Sequence, residues 1–234
     1  GANGGTGGNG GSGLVVVRYA GSSTATGGTI SSTGGYTVHT FTASGSLNLS
    51  SLNLNERLGS NQSGAISGSG DLTFSGPGAL TLSGSNTYTG MTIINAGILK
   101  TAGNQRISSS SGISVASGAS LNFGGDETIK TISNNGSIIL GGVLTLGGEE
   151  STGTLGGSIT GIGSLVKTGA GVLTINSNAG YTGSTTVTGG RMTISGGASL
   201  DSNSGVLVSS GTLAVDGSLG GGLLAQATTT VMGS

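Results

Sequence analysis

From Gly68 to Thr101 the chain reads GSGDLTFSGPGALTLSGSNTYTGMTIINAGILKT. Between the glycines, apolar residues alternate with Thr, Ser and Asn, the period-two pattern of short half-buried strands joined at tight corners. The pattern returns from Gly161 to Ile194 at a constant offset of 93 residues and without a gap. Gly68, Gly70, Gly76, Gly78, Gly90 and Gly97 recur as Gly161, Gly163, Gly169, Gly171, Gly183 and Gly190. Leu72, Leu80, Leu82, Ile94 and Leu99 recur as Leu165, Leu173, Ile175, Val187 and Met192. Many short strands in a long repeat predict an all-β solenoid in which each strand stacks on the one a turn below.

The pattern predicts strands at 71–75, 79–83, 91–95, 97–101, 112–116, 119–123, 127–132, 136–140 and 143–147. A second set is predicted at 164–167, 172–176, 184–188, 190–195, 205–209 and 212–216, with Leu223–Ala225 and Thr229–Val231 last. No window sustains a 3.6-residue apolar period, so no helix is expected. Inward Leu, Ile and Val would fill a continuous core, and Thr and Ser would face water. Asn86, Asn95, Asn176 and Asn178 are candidates for corner positions where an amide bonds its stacked neighbour.

Ahead of this pattern the organisation changes, and the chain divides into a segment 1–61 and a solenoid 62–234 with two repeats of about 93 residues, the second incomplete. Residues 1–13 are nearly all glycine and small polar residues, which suits either a flexible linker or an extended, closely packed strand. Leu14–Tyr19 (LVVVRY) is a short buried-strand signal. Thr29-Ile30 and Tyr36–Phe41 suggest further strands of a small glycine-rich N-terminal β-module, and 46–55 (SLNLSSLNLN) alternates like two more. Glu56 and Arg57 then mark a solvent-facing corner.

Composition sharpens this reading. Glycine supplies 53 of 234 residues, Pro one, Cys and Trp none, and only 6% are charged. Disordered chains are usually charged and poor in β-branched residues, unlike this one. A net charge of −1 gives no electrostatic case for nucleic acid or an anionic membrane. No apolar run reaches the ~20 residues of a membrane helix. The absence of Cys suits export without disulfides, and a start at Gly1 suggests a processed part of a longer exported protein.

Candidate chemistry is sparse. The acids are Glu56, Asp71, Asp126, Glu127, Glu149, Glu150, Asp201 and Asp216. A polysaccharide-active site would need several on one face, and Asp126-Glu127 and Glu149-Glu150 lie about one rung apart. Two solvated turns explain them more simply. His39 is the sole histidine and has no partnered nucleophile, so a structural role is expected. Tyr88 and Tyr181 are equivalent in the repeat, which suits corner packing, with sugar binding as the alternative. No catalytic residue, cofactor or metal ligand set is expected.

The pattern G-x-G-x-L…G-x-G-x-L-T-[LI]…Y-T-G-x-T…G resembles the passenger-associated repeat of bacterial autotransporters, over roughly residues 62–216. Gly112–Val115 and Gly205–Val208 extend the match. The resemblance implies a right-handed parallel β-helix exposed on a cell surface or secreted. It implies no particular activity. The glycine tract followed by GSGLVVVRY resembles glycine-rich domains of phage tail fibres and large bacterial surface proteins.

Open solenoids expose strand edges and core at their ends unless capped, and neither end of this sequence carries a charged cap. The expectation is therefore a non-enzymatic extracellular or cell-surface protein whose copies stack head-to-tail into a fibre. Leu14, Val15, Val16, Val17 and Tyr19 would form one side of that contact, and Leu223, Leu224 and Val231 the other. Strand addition by residues 14–19 is the favoured form, and two ends cut from a longer protein would explain the missing caps equally well. The alternative is an adhesin or tail-fibre-like module binding surface glycans, and a polysaccharide-active enzyme ranks third.

Overall fold

The computed structural model describes residues 15–20, 25–41, 46–49, 52–54, 59–148, 152–201, 205–225 and 230–233. The glycine tract, Leu14, the Glu56-Arg57 corner and Glu149-Glu150 lie outside them. Among the described residues every regular element is a strand. The protein is an all-β parallel solenoid whose rungs supply strands to three faces.

The first face is a 10-stranded sheet running from Leu52–Leu54 to Thr230–Gly233. The second is a 9-stranded sheet from Ser60–Gln62 to Ser218–Leu219. The third begins with Ser46–Leu49 against Ala65–Gly68 and resumes as a 6-stranded sheet from Glu127–Ile129 to Leu223–Ala225. On the first face Leu72, Thr92, Ile113, Ile132, Gly153, Leu173, Met192 and Leu213 are successive register partners, 19–21 residues apart. Parallel pairing already starts at Ser46, inside the segment that sequence alone groups with the N-terminal module.

Each strand alternates as its sequence does. Leu121 and Phe123 turn inward on the second face with Asn122 between them, and Leu121 stacks between Leu99 and Ile138, all three fully buried. Leu, Ile and Val from all three faces fill one continuous core. Burial of each such side chain contributes roughly 1.5–3 kcal/mol.

The expected run 127–132 is two strands, Glu127–Ile129 and Ile132–Asn134, because the chain turns a corner at Lys130-Thr131. Several strands carry too little apolar signal to stand out in sequence. Gly153–Leu155, Ser158–Gly161, Ala179–Tyr181 and Ser199–Leu200 have small residues or a single large one at their inward positions.

At the N-terminal end, Tyr36–Phe41 pairs antiparallel with both Val15–Ala20 and Thr29–Thr33, the latter through a turn at Gly34 and Gly35 (φ +56° and +79°). Ala25–Thr26 pairs antiparallel with Ser46–Leu49 and so covers the edge of the third face at that point. His39 is fully buried, and its Nδ1 lies 2.7 Å from the Gly27 carbonyl oxygen, a structural setting.

Candidate functional site

A rung of about 20 residues goes into 93 four times with about two faces left over, so the second repeat copy sits on different faces from the first. Leu72–Phe74 lies on the first face, and its equivalent Ser164–Lys167 on the third. Ala79–Leu82 lies on the second face, and its equivalent Val172–Ile175 on the first. Local geometry survives the change. Gly68 and Gly161 share φ +112°, and Gly97 and Gly190 have φ +69° and +64°.

The Y-T-G-x-T element is a buried corner. Tyr88 and Tyr181 are 1% and 0% exposed. The Tyr88 hydroxyl shares a 2.6 Å hydrogen bond with the Thr92 hydroxyl, and Tyr181 makes the same bond to Thr185. Burial pushes both phenols well above their ordinary range. Rings packed inside the bore cannot stack on a sugar, which removes the binding role considered for them. Gly90 and Gly183 follow at the corner, where a methyl group would drive into the carbonyl oxygens of Gly70 and Gly163 in the preceding rung.

The third-face sheet is interrupted where 86–89 and 106–111 pass: Thr87 N and Thr89 N still bond the Ile66 and Gly68 carbonyls, and side chains supply further links between the rungs. The Asn86 amide accepts from Ile66 N (2.9 Å) and donates to the Arg106 carbonyl (2.9 Å), joining three rungs. The Glu127 carboxylate accepts from Arg106 N (2.7 Å) and Ile107 N (3.2 Å). Ser110 Oγ donates to the Gly90 carbonyl at 2.8 Å. Two other expected ladder amides also bond their stacked neighbours: Asn95 donates to Ser75 Oγ (3.3 Å), and Asn176 accepts from Ser195 Oγ (2.6 Å). Asn178 is exposed.

The acids brace neighbouring rungs. Asp71 accepts from Met91 N and Asp126 from Val143 N, at 2.7 and 2.8 Å. Asp126 and Glu127 are adjacent but diverge, Asp126 exposed and Glu127 buried. Burial, the largest influence, pushes the Glu127 carboxyl above the ordinary range despite its amide, Thr101 and Arg106 partners, which act the other way. Asp201 and Asp216 are exposed. Lys167 occupies the inward position equivalent to Phe74, and its Nζ donates to the Thr168 and Gly169 carbonyls. Burial lowers its pKa. Neither Glu127 nor Lys167 stands out in sequence as inward-facing. The clue is register: each takes an alternate strand position where its neighbours carry apolar residues.

The residues expected at a subunit contact lie in separate sheets, the antiparallel N-terminal one and the last strands of the solenoid. Val15, Val16, Val17 and Tyr19 lie in Val15–Ala20, which pairs with Tyr36–Phe41 of its own chain, and Val16 is 52% exposed. Leu223 and Leu224 lie on the final third-face strand, 42% and 64% exposed, and Val231 pairs with Leu213 on the final first-face strand. A separate open groove of about 330 Å³ runs along the first face, lined by Thr131, Ser133, Thr152, Thr154 and Thr174 with Met91 and Val172.

Residues 72–100 and 165–198 match the family model of the passenger-associated-transport-repeat. Both matched segments span the Y-T-G-x-T corner, from the strand before it to the positive-φ glycine after it. No curated protein and no solved structure matches the chain. The repeat match and the parallel solenoid together fit a structural protein of the autotransporter-passenger kind.

Proposed function

We propose that this chain is a non-enzymatic structural rod of a surface-exposed or secreted passenger, wound as a right-handed helix. The observation that carries the reading is where the reactive groups go. Asp71, Asp126 and Glu127 bind backbone amides of neighbouring rungs, and both repeat tyrosines are buried against threonines. Side chains committed to bracing the scaffold leave it rigid rather than reactive. The matched repeats supply the context of a passenger.

The finer reading is end-to-end stacking, Val15–Val17 and Tyr19 of one copy meeting Leu223, Leu224 and Val231 of the next. The exposure of Val16, Leu223 and Leu224 supports it. Electron microscopy of the purified protein tests it: regular fibres with an axial repeat near one subunit length are expected, and discrete short rods would sink the fibre. Protease treatment of intact cells producing the full-length protein tests surface exposure, where survival of the chain would count against it.

The first-face groove favours glycan binding as the second reading, because stacked hydroxyls beside Met91 and Val172 offer hydrogen bonds next to apolar contact. A glycan array, repeated with Thr154→Lys to block the groove, separates a binding module from a plain rod.

A further inference from the structure

Among the described residues Glu127 is the only buried acid, and it stands where the third-face sheet is interrupted. Its two carboxylate oxygens take the amides of Arg106 and Ile107, which an adjacent strand would otherwise bind. The segment they hold, 102–111, contains the one described non-glycine residue with positive φ, Gln105 at +54°. Gln105 also spans the gap, its backbone N–H donating to the Asp126 carbonyl at 2.8 Å. The groups around the carboxyl come from every side. Thr101 bonds it, Tyr88 lies two third-face rungs below and feels its charge, and Leu144 stacks on it from the next rung. The Arg106 side chain is near but occupied, donating to the Ala102 carbonyl and Ser85 Oγ. Asp126, its neighbour in sequence, is exposed and bound to Val143 N.

We propose that Glu127 is a proton-operated clasp: neutral, it keeps residues 102–111 closed on the solenoid, and ionised, it lets that segment open to water. The neutral carboxyl still accepts an amide through its carbonyl oxygen and can donate its O–H to the Thr101 hydroxyl. The ionised form keeps both amide bonds but holds a charge in the bore, which burial disfavours. The direction follows from linkage. Because burial raises the folded-state pKa above the unfolded one, the closed form gains stability as pH falls through the folded value and loses it as pH rises.

Hydrogen exchange on the whole chain tests this, read as protection factors so that the intrinsic pH dependence of exchange divides out. The amides of Arg106 and Ile107 are followed from about pH 4 to pH 8, with the Leu121 amide as internal reference. Because burial raises the folded-state pKa, protection at the acidic end is expected to exceed that at neutral pH, with the loss falling above the ordinary carboxylate range. Glu127→Gln should give high, pH-independent protection, while Asp126→Asn should keep the wild-type slope. A flat wild-type profile, weaker protection in acid, or a slope that survives Glu127→Gln would each overturn the clasp. If Glu127→Gln does not yield a native sheet spectrum, carbon-13 titration of Glu127 in the wild type decides. A raised midpoint supports the clasp, and an ordinary carboxylate midpoint overturns it.

Discussion

Tyr88 and Tyr181 hold the same place in the repeat but stand on different faces of the solenoid, Tyr88 on the third and Tyr181 on the second. Each still bonds the threonine four residues on. The repeated unit is therefore a corner with its flanking strands and not a rung. The same corner serves whichever face it lands on, because three similar faces present it with the same stacked backbone one turn below.

That equivalence makes the hydroxyl pair a matched test. Tyr181→Phe leaves the buried Thr185 hydroxyl without its tyrosine partner, and the expected loss is about 1–3 kcal/mol. Tyr88→Phe should cost less, because Thr92 also bonds Ser110 Oγ at 3.1 Å. Urea unfolding followed by circular dichroism measures both. Equal losses would mean that the Ser110 contact contributes nothing.

Glycine at the corner gives a sharper contrast. Gly183→Ala would push a methyl group into the Gly163 carbonyl oxygen, which already accepts from Gly183 N at 3.1 Å. Neither backbone can move without breaking the rung. Gly180, three residues earlier, faces open space, with nothing within 4 Å of an added methyl. Gly183→Ala should cost about 2 kcal/mol or more. Gly180→Ala should be neutral or stabilise by about 0.5 kcal/mol through the unfolded chain. Similar unfolding midpoints for the two variants would refute the close-approach account.

Alternation made the solenoid legible in the sequence, since inward pairs such as Leu80/Leu82 and Leu121/Phe123 need no tertiary information to be seen. The corner bend at Lys130-Thr131 was hidden because Ile129 and Ile132 read as one apolar run across it. Strands such as Ala179–Tyr181 were hidden for the opposite reason, since a small inward residue such as Ala179 leaves little hydrophobic signal. The inward acid and lysine were illegible because charge normally marks a solvated face. Only the register, with Glu127 opposite Leu144 and Lys167 between Leu146 and Val187, places them inside.

Asn86 shows how a side chain stands in for a sheet. Its amide is almost fully buried and uses both ends, the oxygen on Ile66 N and the nitrogen on the Arg106 carbonyl. Asn86→Ala deprives both backbone groups of this partner and should cost about 2–4 kcal/mol. Asn86→Asp keeps the acceptor for Ile66 N but sets a carboxylate against the Arg106 carbonyl. It should therefore be at least as damaging at neutral pH and recover in acid as it protonates. Thermal melts across pH distinguish the two, and a pH-independent Asn86→Asp would show that the donor end does not matter.

Lys167 provides the last test, with a pH dependence of its own. Its ammonium lies at a core position between Leu146 and Val187, bonded to turn carbonyls, and burial lowers its pKa. The folded-state pKa is thus below the unfolded one, so between the two values the unfolded chain binds more protons and stability rises with pH. The window lies below the ordinary lysine value and must be read before the tyrosines intervene. Their raised phenols act in the opposite sense once a free phenol ionises. Lys167→Met keeps the length of the side chain, removes the charge and restores the apolar character of Phe74 at the equivalent position. Its stability at neutral pH should rise by on the order of 1 kcal/mol. The difference between variant and wild type should then shrink as pH approaches the ordinary lysine value. A constant difference across that range would mean that the Lys167 charge is fully compensated by the Thr168 and Gly169 carbonyls, and that the residue is a satisfied strut.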